Sequence, residues 1–370
     1  MPARATKRGS ERTPLSGERD VLICGASFAG LAIARELAGS GADVLIVDRY
    51  EIGERQTSAC GIPTEWLRQL DLMGAERQRF DSLVVHTPHG TSRWRLPWTF
   101  STFDYRELCQ LLWRDCDASF ETAKVNRRAA PASGDCQIAV ETDRGTISAP
   151  LVVDALGWRR VLAAGEGFQP PDAPLSRGLE VHPPGTGEDL EIWIDRRYVP
   201  AGYGWSFPAG EELRIGVGSF DSRFHVRAPT ELLAEELGQD RVRYQGNWIP
   251  HKIRRATQGG VFFAGDSAGH CLPLTAEGIR TALYFGVVLG RELRGVVEER
   301  QTREEATKRY ASFHDTHAWK FRCMLLVQKA LPLVPPRLLR LVVRGAGIRR
   351  LLNFFFHHYL AIAPPGMARR

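Results

Sequence analysis

Gly25, Ser27 and Gly30 stand at the three glycine positions of a G-x-G-x-x-G turn, between the apolar runs 21–24 and 44–47. Gly25 permits a tight turn, a small residue at 27 lets backbone N–H groups approach a pyrophosphate, and Gly30 lets the following helix pack against the strand. Ala29 lies in the same stretch, at the helix start, where the N-terminal partial positive charge would face phosphates. Asp48 ends the second run about twenty residues on, where an acid accepts hydrogen bonds from an adenosine ribose. Strand, turn, helix, strand and acid together predict a dinucleotide site; the alternative is a Ser27 that merely caps a helix.

A second corner lies far along the chain, in "GGVFFAGDSAGHCLPLTAEGIRTALYFGVVLGREL". An apolar strand over 261–264 runs into Gly265 and Asp266, then a loop with Pro273 and a helix starting near Gly278. Gly286 and Gly290, four apart on that helix, predict close packing against a neighbour. This stretch resembles the second flavin-binding motif of FAD enzymes built on the p-hydroxybenzoate hydroxylase plan. The resemblance implies that Asp266 hydrogen-bonds the ribityl chain and that backbone N–H groups at Gly278 and Ile279 meet the flavin's N1 and C2 oxygen. Reduced flavin is anionic at that edge, which a helix N-terminus stabilises.

Two middle segments are similar to the same plan. In "FDYRELCQLL" Arg106 corresponds to an arginine beside the FAD phosphates and ribose. In "APLVVDALGWRR" Asp154, Ala155 and Gly157 resemble a D-A-T-G turn that closes around the cofactor, and Val125 would reach adenine through its backbone. The implied cofactor is FAD. No second G-x-G-x-x-G is present, so the reductant, NAD(P)H or a separate reductase partner, is expected to visit rather than reside.

"YGWSFP" places Tyr203, Trp205 and Phe207 at alternate positions, on one face of a predicted strand. It resembles the Tyr-x-Trp-x-Phe-Pro signature of geranylgeranyl reductases; "PLTAEGI" is similar to their P-L-T-G-E-G-I, and "SACGIP", with Ala59 and Cys60, sits where they carry Lys-x-Cys-Gly-Gly. Ser58 stands in place of the lysine and Ile62 in place of the second glycine. The resemblance implies an aromatic wall for a prenyl or other apolar substrate, cofactor contact at Ala59 and Cys60, and reduction of carbon–carbon double bonds by reduced flavin. Cys60 is the candidate on the substrate side and His270 the candidate acid; a buried inert thiol and a hydrogen-bonded interior histidine are the alternatives.

Two other reactions stay open. A monooxygenase, hydroxylating or epoxidising, would use the same flavin plan. A halogenase is disfavoured, because those enzymes depend on a lysine after the first nucleotide-binding unit and no lysine lies between Lys7 and Lys124. A non-catalytic flavoprotein that carries an isoprenoid is the third class.

Positioning these residues needs an α/β chain with a Rossmann-like FAD-binding domain, an inserted antiparallel β-sheet substrate domain and C-terminal helices. The expected organisation is a basic tail over 1–19, FAD-binding segments over 20–81, 104–165 and 253–300, substrate sheet over 82–103 and 166–252, and a helical region over 301–370. With 43% hydrophobic and 25% charged residues the chain has the composition of a folded globular protein. A net charge of +6 permits anionic cofactors, and no nucleic-acid motif or metal-ligand spacing is evident. Seven cysteines without a C-x-x-C pair imply a reducing, cytoplasmic setting. The leucine-, phenylalanine- and arginine-rich stretch after 330 is predicted either to pack on the substrate sheet or to lie peripherally in a membrane interface.

Overall fold

The computed structural model of the chain describes residues 13–56, 58–129, 137–163 and 175–368. A six-stranded sheet runs in the order Thr257–Gln258, Val261–Phe263, Leu151–Asp154, Val21–Cys24, Val44–Asp48, Ser119–Thr122, parallel except at the first strand. Its central strand Val21–Cys24 is buried at every position. Such an unbroken apolar run is what a parallel strand covered on both faces requires.

One face is covered by helix α1 (Phe28–Leu37), and α2 (Thr64–Gln69) and α3 (Tyr105–Arg114) extend the same core. The opposite face meets a four-stranded sheet of Gly17–Glu18, Gly145–Ala149, Ile138–Thr142 and Val125–Arg128, joined through a second apolar core. Residues 13–19 therefore depart from the expected basic tail. Gly17 and Glu18 pair with Ile147 and Ser148, and the Leu15 N–H donates to the Arg144 carbonyl; the tail's remaining residues, 1–12, lie outside the described residues.

The third sheet has eight strands, Gln245–Pro250, Leu175–Val181, Leu213–Ser219, Gly202–Pro208, Leu190–Trp193, Glu76–Thr87, Gly90–Phe103 and Gly61–Pro63. All neighbours are antiparallel except Leu190–Trp193 beside Glu76–Thr87. This sheet starts earlier than the expected residue 82, because Gly61–Pro63 and Glu76 onward already pair with Gly90–Phe103. The expected boundary at 165–166 lies outside the described residues. Helix α4 (Arg227–Glu236) packs on one side of the sheet, with Leu233 and Ala234 against Val217 and Val181.

Helix α5 (Ile279–Val297) crosses α1 closely, as the glycine pair predicts. A Cβ on Gly286 would stand 2.8 Å from the Ala29 carbonyl oxygen, and one on Gly290 would stand 2.9 Å from that of Ile33. Helix α6 (Arg303–Ala330) begins with a capping box in which Thr302 and Glu305 bond reciprocally. Helices α7 (Pro336–Ala346) and α8 (Arg349–Leu360) then return to the third sheet. Leu339 and Val343 pack on Val85, the Trp94 indole N–H donates to the Val343 carbonyl at 3.0 Å, and Phe356 meets Trp94 and Trp98 edge-on. Packing on the sheet is thus what one face of each helix does.

Candidate functional site

The first corner is built by Gly25 and Asp48. Gly25 has φ 117°, a conformation open to glycine, and a Cβ there would stand 2.3 Å from the Ala155 carbonyl oxygen. The Asp48 carboxylate accepts from the Ala26 N–H at 2.8 Å and the Tyr50 N–H at 3.1 Å. Burial raises its pKa, and these bonds oppose that shift. Ser27 precedes α1, and its hydroxyl lies 3.2 Å from that of Tyr105 on α3. The N–H groups of Phe28 and Ala29, in the first turn of α1, have no acceptor among the described residues. Arg106, one residue after Tyr105, is exposed and has no side-chain partner among the described residues; its Cα lies where a Cβ on Gly53 would approach to 2.8 Å.

The second corner brings Asp266, Gly278 and Ile279 together. Asp266 sits in a short 3-10 turn, Gly265–Ala268, and its carboxylate has no hydrogen-bond partner among the described residues. Burial, partly offset by Arg254, pushes its pKa up to about 6. A Cβ on Gly278 would lie 3.5 Å from Asp266 Oδ1, so the acid faces the N-terminus of α5. The two corners touch at their helices: Gly265 lies against Ala29, 3.1 Å from its Cβ by the same measure.

Asp154 is hydrogen-bonded within the protein. It is fully buried, and its carboxylate accepts from the Leu156 and Leu162 N–H groups at 3.0 and 2.8 Å and from the Ser267 hydroxyl at 2.7 Å. It fastens the turn at 155–157 to the turn at 265–268. Val125 is buried and paired with Thr142 at the start of its strand.

The two candidate catalytic groups, His270 and Cys60, both lie buried. His270 is fully buried, stacked on Phe285 at 3.7 Å, with both ring nitrogens unpartnered. Burial, with His314 and His317 beside it, holds its pKa well below the usual histidine range. A neutral ring in that place is a poor proton donor. Cys60 is fully buried, donates to the Ser58 carbonyl at 3.1 Å and adopts φ 53°. Burial raises its pKa, partly opposed by Arg214, and so favours the thiol form. The neighbouring Ala59 carbonyl accepts from Arg214 at 2.8 Å.

The strand Gly202–Pro208 alternates strictly: Gly202, Gly204, Ser206 and Pro208 are buried, and Tyr203, Trp205 and Phe207 are half-exposed. The three rings share one face. The Tyr203 hydroxyl donates to the Thr275 carbonyl at 2.7 Å, tying the wall to the loop that leads into α5.

Beside the indole edge of Trp205 lies a charged network that the sequence reading missed. The indole N–H donates to Glu180 Oε2 at 3.2 Å, and His182 stands between Glu180 Oε1 at 3.0 Å and Glu212 Oε1 at 3.1 Å. Arg214, also on Glu212, bonds the Ala59 and Phe103 carbonyls. The two carboxylates raise the His182 pKa against the cost of burial, and the Glu212 pKa is lowered to about 2 by His182 and Arg214, against burial. The available signal was the Glu180-x-His182 alternation on a strand, but pairing with residues 212 and 214 needs the sheet register.

Comparison with known proteins agrees with this geometry. Residues 20–190 match the family described as lycopene cyclase protein. The chain is 26% identical to digeranylgeranylglycerophospholipid reductase 3 of Methanosphaera stadtmanae, over 82% of this chain and 84% of that protein. Its fold superposes with a TM-score of 0.78 on a geranylgeranyl bacteriochlorophyll reductase-like protein from Thermoplasma acidophilum, at 16% identity, covering 95% and 98% of the two chains. A structure named as pqsL, a probable FAD-dependent monooxygenase from Pseudomonas aeruginosa, superposes with a TM-score of 0.67 at 18% identity, covering 85% and 96%. With the N–H groups at the start of α1, the Asp266 carboxylate and Arg106 all without partners among the described residues, the chain's residues fit an elongated diphosphate cofactor of the flavin type. The chain is similar in sequence to digeranylgeranylglycerophospholipid reductases and shares its fold with these two solved structures.

Proposed function

We propose that this chain binds FAD across the two corners and reduces carbon–carbon double bonds of a prenyl lipid. The observation that carries the reading is the wall of Tyr203, Trp205 and Phe207, joined to the loop before α5 by the bond from Tyr203 to Thr275. When bound and reduced, the flavin supplies the hydride. The chain's own residues then have three tasks.

The turn at 25–30, Arg106 and the start of α1 hold the diphosphate. Asp48 fixes the first turn and presents an acid to the ribose; Asp266 receives the ribityl hydroxyls; the N–H groups of Gly278 and Ile279, at the start of α5, stabilise negative charge at the flavin edge. The aromatic wall lays the apolar chain in a dry cleft, where orientation contributes most. His182, held between Glu180 and Glu212, keeps an exchangeable proton that is linked through Glu180 to the Trp205 indole. The reductant is NAD(P)H or a separate electron carrier that docks transiently.

The test is anaerobic reduction of the purified flavoprotein followed by rapid mixing with a geranylgeranyl lipid, and separately with oxygen. Reoxidation by the lipid in the absence of oxygen is the expected result. The second reading, oxygenation of an apolar substrate, is favoured by the fold shared with the pqsL structure. It would appear as reoxidation that needs oxygen and yields a hydroxylated or epoxidised product. A chain that takes up FAD and is reoxidised by neither would be a carrier.

A further inference from the structure

The last two helices have two apolar faces each. On α7, Leu339 and Val343 face the sheet, whereas Leu338, Leu341 and Val342 are exposed, Leu341 by 62%. On α8, Leu352 is buried, whereas Leu351, Phe354 and Phe355 are exposed. Ile348, in the link between them, and Leu326, Val327 and Leu333, at the end of α6 and just after it, extend the same character. Elsewhere the exposed large apolar side chains among the described residues are only Leu232, Val242, Tyr244 and, earlier on α6, Trp319. A surface helix of a globular protein turns polar residues outward, and a contiguous exposed apolar patch marks an interaction face.

The charge around this patch has one sign. After Asp315 the chain contains no aspartate or glutamate. Lys320, Arg322 and Lys329 on α6, Arg337, Arg340 and Arg344 on α7, and Arg349 and Arg350 on α8 are all basic, and none forms an ion pair among the described residues. No described helix is long and apolar enough to cross a membrane.

We propose that the outward face of α7 and α8, with the end of α6, docks on an anionic lipid bilayer. Its leucines and phenylalanines enter the acyl boundary while the arginines reach phosphate headgroups, the arrangement of an interfacial helix. A protein partner or a second copy of this chain would need acids to meet this stretch of bases; a bilayer carrying anionic phospholipids supplies them everywhere. The docked layer is rigidly joined to the candidate site. Arg280, fully buried on α5, forms a double ion pair with Glu277 and donates to the carbonyls of Tyr359, Leu360 and Ala363 at the end of α8, and the Tyr359 hydroxyl bonds Glu277. Between Pro336 and Leu339 of this layer and Gly202, the residue before Tyr203, lies a cleft lined also by Ile194, Val199 and Leu331. The purpose of the docking, delivery of a prenyl lipid to the wall, rests on the function proposed above; its test does not.

The FAD-loaded full chain is floated with phosphatidylcholine vesicles, with and without phosphatidylglycerol, at low and high salt. Binding is expected only with the anionic lipid and is expected to weaken roughly fivefold for each basic contact screened. Phe354→Glu/Phe355→Glu is expected to weaken it on the order of a hundredfold, with flavin content and melting temperature unchanged. Absence of binding to anionic vesicles at low salt, or equal binding by the double variant, overturns the proposal. So does a wild-type dimer in solution that the double variant converts to monomer, which would assign the face to a second copy. Reoxidation of the reduced flavoprotein by detergent-dispersed prenyl lipid reads the chemistry separately, so failure to dock and failure to reduce are distinguishable.

Discussion

The indole of Trp205 lies flat across Gly216 of the neighbouring strand: a Cβ on Gly216 would stand 2.3 Å from Cζ2 of the ring and 2.6 Å from the Leu179 carbonyl oxygen. Gly178 and Gly218 flank the same ring, at 3.7 and 3.4 Å by the same measure. A glycine floor thus lets a large ring lie along the sheet and present its other face to the cleft. Gly216→Ala forces the indole off this floor and strains its bond to Glu180. It is expected to cost about 1–3 kcal/mol of stability, the usual range for overpacking, and to raise the KM for a prenyl lipid while flavin content is preserved. Chemical denaturation and steady-state kinetics check both; an unchanged KM would mean that the wall does not contact substrate.

His182 holds its charge between two carboxylates, and its folded pKa is raised above the ordinary 6.5. Sign follows from that direction. The stabilisation it contributes is fully present below pH 6.5 and is lost as the pH rises through the folded value. His182→Gln removes the charge and leaves Glu180 buried without its cation, a change expected to cost about 3–5 kcal/mol at pH 6, with a smaller penalty at pH 9. Unfolding curves at the two pH values measure the difference. If His182 also supplies the reaction's proton, the rise of prenyl-lipid reduction toward acid pH disappears in the variant; a retained profile assigns His182 to structure alone.

Both glycine corners were legible in the sequence because their cause is local. Gly25, Gly30 and Asp48 lie within one strand–helix–strand unit, and the glycines of α5 are spaced to meet one partner helix. The alternation of Tyr203, Trp205 and Phe207 fixed their common face for the same reason. What the sequence did not disclose depends on register between distant strands. Glu180 meets Trp205, and His182 meets Glu212, only because Leu175–Val181 pairs with Leu213–Ser219 and that strand with Gly202–Pro208. The fate of Asp154 was hidden likewise, since its Ser267 and Leu162 partners are brought in by the fold. For His270 the decisive fact was burial by α6, which supplies His314 and His317 and carries no glycine or acid signature pointing toward it.

His270 supplies a sharper test of that reading. Its two ring nitrogens have no partner among the described residues and it stacks on Phe285, so an apolar side chain of similar size removes a buried polar group without opening a cavity. His270→Leu is expected to be neutral or to stabilise by about 1 kcal/mol, and to leave flavin content and turnover within about twofold. Because the histidine's folded pKa is depressed, the wild type loses stability as the pH falls below 6.5, where the unfolded chain takes up a proton that the folded one refuses. The variant lacks that component of acid sensitivity. A large fall in turnover with intact flavin binding would restore His270 as the acid.

Asp266 carries the most direct test of the cofactor site, because its carboxylate has no partner among the described residues and burial pushes its pKa up to about 6. Without cofactor the charged form is held at a cost. Since the folded pKa lies above the ordinary 3.8, the apoprotein retains the corresponding stability below that value and loses it as the pH rises through about 6. Asp266→Asn is uncharged throughout, so its apoprotein stability lacks this decline between pH 4 and pH 7, and at pH 7 the variant without flavin is more stable than the wild type. With flavin the order reverses. Hydrogen bonds from ribityl hydroxyls to an ionised acceptor contribute about 1.5–3 kcal/mol, so the amide is expected to weaken FAD binding about tenfold to a hundredfold in a fluorescence titration. That crossing of two stabilities, the variant ahead when empty and behind when loaded, requires a carboxylate that is costly alone and satisfied by a polar cofactor. A variant that binds FAD as tightly as the wild type would place the ribityl chain elsewhere.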